Sequence, residues 1–202
     1  MLFDLADYLC PVNGMVYQLS SNETCYSHLD PDGWRTFSKN RHAEEFFVND
    51  QFVGRGADTS LISTDGVNPT GTFYVQYTGE YYGCNWARRY MSPGEAFQRH
   101  CRIKMFTYDC LEFEDYEEIS TLQLLEHYDS IPMPNGLLVH DSLLFTWGGE
   151  EGYLYTRGFG LTGWKNLASG QFANYIVAVN VAPPAPAFTH ECLPRPAIFD
   201  GG

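Results

Sequence analysis

Six cysteines and six histidines are spread over the 202 residues, and these residue types point to three chemistries: disulfide bonding, nucleophilic catalysis and metal ligation. The cysteines are Cys10, Cys25, Cys84, Cys101, Cys110 and Cys192. Cys101 and Cys110 bracket the strand-like stretch RIKMFTYD. Nine steps of roughly 3.3 Å in an extended strand hold their Cα atoms about 30 Å apart, well beyond the roughly 7 Å reach of a disulfide. The stretch offers no Gly, Pro or Asn to fold it back, so these two are not expected to pair with each other. Their odd separation sends the side chains to opposite faces. All six remain disulfide candidates with other partners, within or between chains, and buried free thiols are the competing reading. No CxxC occurs, so the common structural zinc signature is missing, and the sequence implies neither a metal nor a cofactor.

The segment YYGCNWARRYM around Cys84 supplies a nucleophile candidate. It resembles the nucleophile segment of CHAP-type and related papain-like amidases, in which a cysteine follows small residues, opens a helix and has an aromatic residue close behind. The resemblance implies Cys84 as the attacking thiolate and His140, in LLVHDSLLF, as its base. A metal-dependent alternative rests on the triplet His127-Tyr128-Asp129 with His190 and Arg195 further on, a spacing found in two-His, one-carboxylate iron sites. Its members fall at the end of an expected helix and inside a proline-rich tail, which are poor places for strands facing into a barrel. Gly158, Gly160 and Gly163 spell GxGxxG, but no following helix or acidic residue at the required distance accompanies them, so they are expected to serve turns. Trp34, Trp147 and Trp164, with 14 tyrosines, offer aromatic faces for stacking a glycan, or for packing a core.

These residues need a scaffold, and composition indicates its kind. Aromatics at 16%, 19 glycines and only 18% charged residues favour a mainly β protein. Short alternating runs at 72–82, 102–108, 137–147, 152–158 and 173–182 read as strands of a β-sandwich or jelly-roll. One or two short helices are expected, at Phe3 to Tyr8 and over EEISTLQLLEHY, where Ile119, Leu122, Leu125 and Tyr128 recur at three-residue steps. Residues 41–49 are compatible with a helix or the lead into a strand. The first 30 residues otherwise read as irregular. Residues 1–182 form the expected domain. The tail 183–202, APPAPAFTHECLPRPAIFDGG from Ala182 onward, is proline-rich and expected to run as an extended arm, with Phe188, Cys192, Ile198 and Phe199 gripping a surface.

Charge sets further bounds. The net charge of −13 argues against a nucleic-acid backbone as partner. No apolar run is long enough to span a bilayer as a helix, and the start of the chain reads as no signal peptide. Arg88, Arg89, Arg99, Arg102 and Lys104 precede Asp109, Glu112, Glu114, Asp115, Glu117 and Glu118. Such a boundary suits either local ion pairs on a solvated surface or a head-to-tail contact between subunits. The leading expectation is therefore a non-enzymatic structural protein. It would assemble with copies of itself and neighbouring structural proteins in a virus or phage particle, cross-linked by disulfides after leaving the cytoplasm. The Cys84–His140 hydrolase and a glycan-binding β-sandwich are the alternatives.

Overall fold

The computed structural model describes residues 1–39, 42–62, 71–78, 83–106 and 110–182. The expected arm with Phe188, Cys192, Ile198 and Phe199 lies outside the described residues, as does Asp109. The protein is mainly β, as composition predicts. The chain opens with β1 (Phe3–Asp4) and the short helix α1 (Ala6–Leu9), followed by β2 (Val16–Leu19), β3 (Thr24–Leu29), β4 (Arg35–Lys39) and β5 (His42–Val48). Next come β6 (Phe52–Ile62), β7 (Gly71–Thr78), β8 (Cys84–Arg88), β9 (Tyr90–Met91) and β10 (Ala96–Phe106). The remaining strands are β11 (Glu112–Pro132), β12 (Leu138–Thr146), β13 (Glu151–Thr156), β14 (Gly160–Asn166) and β15 (Phe172–Val179).

All but β1 and β9 belong to one 13-stranded sheet, ordered β5-β4-β3-β2-β15-β14-β13-β12-β11-β10-β7-β6-β8. An extra ladder between β5 and β6 joins the two ends, so twelve strands form a ring with β8 attached to β6. Every ladder is antiparallel, and most strands neighbour their successor in sequence. Closing a sheet on itself removes the exposed edges that an open sheet must protect. Tyr17, Cys25, Leu122, Leu143, Phe145 and Leu154 are fully buried members of one apolar cluster. The Tyr17 hydroxyl donates to the Leu161 carbonyl, tying β2 to β14 across the intervening β15.

Two helix expectations are corrected, one from periodicity and one implied by the amidase resemblance. EEISTLQLLEHY is part of the 21-residue strand β11 and not a helix. Leu122 and Leu124, two apart, point into the core, and a register shift between Leu124 and Glu126 breaks the alternation, which leaves apolar residues at spacings that imitate a helical stripe. The segment after Cys84 is strand β8, not a helix. In the first 30 residues, β2 and β3 alternate buried with half-buried positions, but they are too short and polar to stand out. Residues 41–49 resolve as strand β5 from His42.

The N-terminal segment is fastened to the ring. Arg89 grips Asp4 with bonds of 3.0–3.2 Å, and the Leu5 amide donates to the Arg89 carbonyl. The buried Tyr8 of α1 donates to Asp141 Oδ1 at 2.6 Å. Arg157 donates to Asp141 Oδ2, to Asp7 and to the Tyr8 hydroxyl, and His127 Nε2 lies 3.1 Å from Asp141 Oδ1. Burial alone would raise the Asp141 carboxyl pKa, but hydrogen bonds from Tyr8, Arg157 and His127 outweigh it and hold the group below its usual range. A carboxyl depressed by folding adds stability above its unfolded pKa of about 3.9 and loses it as pH falls through the lower folded value. Accordingly, Asp141→Asn is expected to be less stable than wild type at pH 7 in urea titrations. The difference between the two should shrink once the pH drops below about 3.9, and a constant difference would show that ionisation of Asp141 is not what matters.

On the β5–β6 hairpin, Phe47 stands opposite Gly54. A Cβ on Gly54 would lie 1.8 Å from the Phe47 ring, and one on Gly56 would lie 2.6 Å from Trp34. The missing side chains let Phe47 and Trp34 meet edge-to-face, with centroids 5.2 Å apart. Gly54→Ala should therefore displace Phe47 and lower unfolding stability by about 1–3 kcal/mol. Adding the same change to Phe47→Ala should cost clearly less in a double-mutant cycle, because the ring that would clash is gone.

Candidate binding chamber

Side chains from seven strands, with Trp147 just beyond β12, converge on a cavity of about 420 Å³. Its walls are aromatic: Trp86 from β8, Trp147 just beyond β12, Tyr153 and Tyr155 from β13, and Trp164 from β14. Strand alternation places Glu151, Tyr153 and Tyr155 at every second position of β13, and a register shift against β13 lets Leu161 and Trp164, three apart on β14, both reach the cavity. Trp147 meets Tyr153 edge-to-face at 4.6 Å and lies 6.1 Å from Trp86. The rim reaches solvent through Glu151, which is exposed, and through Glu118, whose side chain is 41% exposed.

Two guanidiniums sit among these rings, and each is buried. Arg55 Nη2 is 3.0 Å from Glu44 Oε1, and its guanidinium carbon is 4.6 Å from the Trp86 ring centre. Arg99 donates to Ser120 Oγ at 2.5 and 3.0 Å, lies 3.6 Å from Glu118, and stacks 3.7 Å from the Trp86 centre. A buried charge persists only when it is paired, and each guanidinium has a carboxylate beside it. The Tyr153 hydroxyl donates to Glu151 Oε2 at 2.6 Å; burial and that carboxylate push its pKa up to about 12. Burial likewise raises the Tyr155 pKa. The indole Nε1 of Trp147 is buried and has no hydrogen-bond partner among the described residues.

Cys84 and Cys101 are joined by a disulfide, with Cα atoms 5.5 Å apart. Strand β8 fills the place beside the first half of β6 that β7 does not reach, and among the described residues its only ladder is with β6. Among the described residues no ladder links β8 to β10, and the disulfide makes that link instead. Trp86 and Arg99 each lie two residues from a bridged cysteine, so the bond fixes the stacked pair on the same strand faces.

The sequence-derived candidates separate accordingly. Cys101 and Cys110 do not pair with each other: Cys101 bonds to Cys84, and Cys110 takes part in a disulfide of its own. Cys10 and Cys25 are buried and belong to no disulfide, and burial pushes the Cys10 pKa up to about 12, far from reactive. Cys192 lies outside the described residues. The sulfur of Cys84 is occupied by its disulfide, and His140 is exposed on β12. His127 faces Asp141 and stacks 4.6 Å from Phe3, while the Asp129 side chain is fully exposed. Among the described residues no three His, Cys, Asp or Glu side chains gather as a metal site. Gly158 lies in the turn before β14, and Gly160 and Gly163 lie within β14.

The charge boundary becomes a hairpin. Basic β10 and acidic β11 are antiparallel neighbours, with Arg102 bidentate to Asp115 at 2.6 Å and Lys104 2.8 Å from Glu112. His100 is 3.2 Å from Glu117 on the same ladder, and Glu114 lies exposed along β11. Arg89 is committed to Asp4, and Arg88 lies over Phe97. Of the three tryptophans named from sequence, Trp147 and Trp164 line the chamber, whereas Trp34 packs over Gly56. Arg55, Trp86, Tyr153 and Tyr155 escaped notice, although the every-second-residue pattern Glu151, Tyr153, Tyr155 was visible in EEGYLY.

Comparison of the chain with protein-family models, curated proteins and solved structures found no match. No helix among the described residues is long and apolar enough to cross a membrane.

Disulfides closing loops of this size stabilise by about 3 kcal/mol. Replacing both Cys84 and Cys101 with Ser should lower unfolding stability by about 2–4 kcal/mol and shift tryptophan emission, because Trp86 is held next to the bond. An unchanged emission spectrum would separate the disulfide from the chamber.

Proposed function

We propose that the protein is a non-enzymatic binding barrel that holds a small molecule in the Trp147–Trp164 chamber. The observation that carries this reading is the cavity of about 420 Å³ lined by aromatic rings and a few fixed polar groups. Small-ligand sites are concave, mostly preformed and of roughly 300–1,000 Å³, with convergent polar groups setting orientation. Ion pairs, ring stacking and the adjacent disulfide fix the wall groups before any ligand arrives, which limits the ordering cost of binding. The test is a ligand-observed NMR screen of a diverse fragment library against wild type and Leu161→Trp, which adds an indole to the chamber wall. Hits that bind wild type and vanish in a folded Leu161→Trp support the reading. An absence of hits, or hits indifferent to that substitution, removes it.

A second reading keeps the chain as a self-assembling structural subunit, such as a virion component. One observation favours it: Leu111, Phe113 and Ile119 are exposed by 44–63% at odd positions on the β10–β11 hairpin. Native mass measurement with Phe113→Ser and Ile119→Ser decides this reading, since an oligomer that survives both changes does not use the hairpin.

A further inference from the structure

We infer that the chamber's ligand is a neutral ring sugar, seated against Trp147 and Trp164 with its hydroxyls directed at the paired charges. The inference rests on the binding-barrel reading and adds the ligand's chemical class. The first argument is charge. Three carboxylates, Glu44, Glu118 and Glu151, and two guanidiniums, Arg55 and Arg99, line the cavity. Arg55 is paired with Glu44, and Arg99 lies beside Ser120 and Glu118, so the wall holds no excess of positive charge for an anion. An excess of one carboxylate, itself engaged by Tyr153, is a weak attraction for a cation.

The second argument is polarity. An apolar ligand such as a fatty acyl chain or a sterol would cover five ionised groups without offering them a hydrogen bond, which carries a large desolvation penalty. A polyhydroxy ligand offers donors to the carboxylates and acceptors to the guanidiniums while leaving the ion pairs intact. The third argument is shape. A pyranose ring has a C–H face and a hydroxyl edge, matching flat indole walls bordered by polar groups. The buried indole N–H of Trp147, without a partner among the described residues, adds a donor whose direction is set by the edge-to-face contact with Tyr153. An acceptor oxygen on the ligand satisfies it. An open-chain polyol has similar hydroxyls but no rigid apolar face and more rotational freedom to lose.

The experiment is tryptophan-emission and calorimetric titration of the full-length protein with four probes. These are methyl glycosides of neutral hexoses with their disaccharides, sorbitol, glucuronate and laurate. Neutral ring sugars should bind best, with sorbitol at least about tenfold weaker. Trp147→Phe, which retains a ring but lacks the N–H, should lose about tenfold in sugar affinity with its fold intact by circular dichroism. Binding of laurate or glucuronate with no binding of neutral sugars overturns the sugar assignment and leaves the barrel reading in place. Sugar binding that Trp147→Phe leaves unchanged overturns the assignment of the sugar to these walls. Silence with all four probes overturns the sugar, and only silence in the fragment screen as well removes the barrel reading.

Discussion

A ring of twelve strands encloses more space than its inward side chains readily fill, and that constraint governs the rest of the molecule. Side chains fill the interior of an eight-stranded barrel, and larger rings keep lumen unless something else enters it. Tyr17, Phe145 and Tyr155 occupy part of the space, and the N-terminal segment with Leu5, Tyr8 and Leu9 adds buried apolar bulk. What is left over is the chamber. The groups lining it then face an environment too enclosed for isolated charge, and they answer by pairing.

The pairing explains why charged residues stand where an apolar pattern would be expected. Arg99 is 4% exposed yet lies in a strand between polar neighbours, and its charge is balanced by contacts from β11 and stacked on an indole from β8. Arg99 and those partners come from three different strands, so the site depends on the ring being closed and in register. The Cys84–Cys101 bond acts at the one place where the hydrogen-bonded circuit is shared, since β7 and β8 divide between them the edge that β6 presents. The exposed ion pairs of the β10–β11 hairpin belong to another class, each worth little in water but together fixing which register is favoured.

The β class, five of the strands and the separation of Cys101 from Cys110 were legible in the sequence because they follow from composition, period two and chain reach. The single ring, as opposed to two stacked sheets, was not, because a meander and a sandwich use the same local alternation. EEISTLQLLEHY misled because a bulge in a long strand and a helical stripe place apolar residues at similar intervals. The hairpin between β10 and β11 was hidden because its turn lacks Gly, Pro and Asn, and Cys110 takes a left-handed conformation, φ 63°, that cysteine seldom adopts. Of the chamber, Trp147 and Trp164 were named from sequence as aromatic faces for stacking a glycan or for packing a core. Arg55 and Trp86 were not, because their meaning depends on strands brought together only by the closed fold.

The ladder between β2 and β15 joins Val16–Leu19 to Phe172–Val179, near opposite ends of the described chain. During synthesis, β2 can pair with β3 early, but its other edge waits for β15, the last of the described strands to be made. Until then the half-built sheet presents an open edge and an uncovered apolar face, the two features that invite wrong partners. Ring closure is thus a late, long-range step that makes folding slow relative to a helical protein of this size.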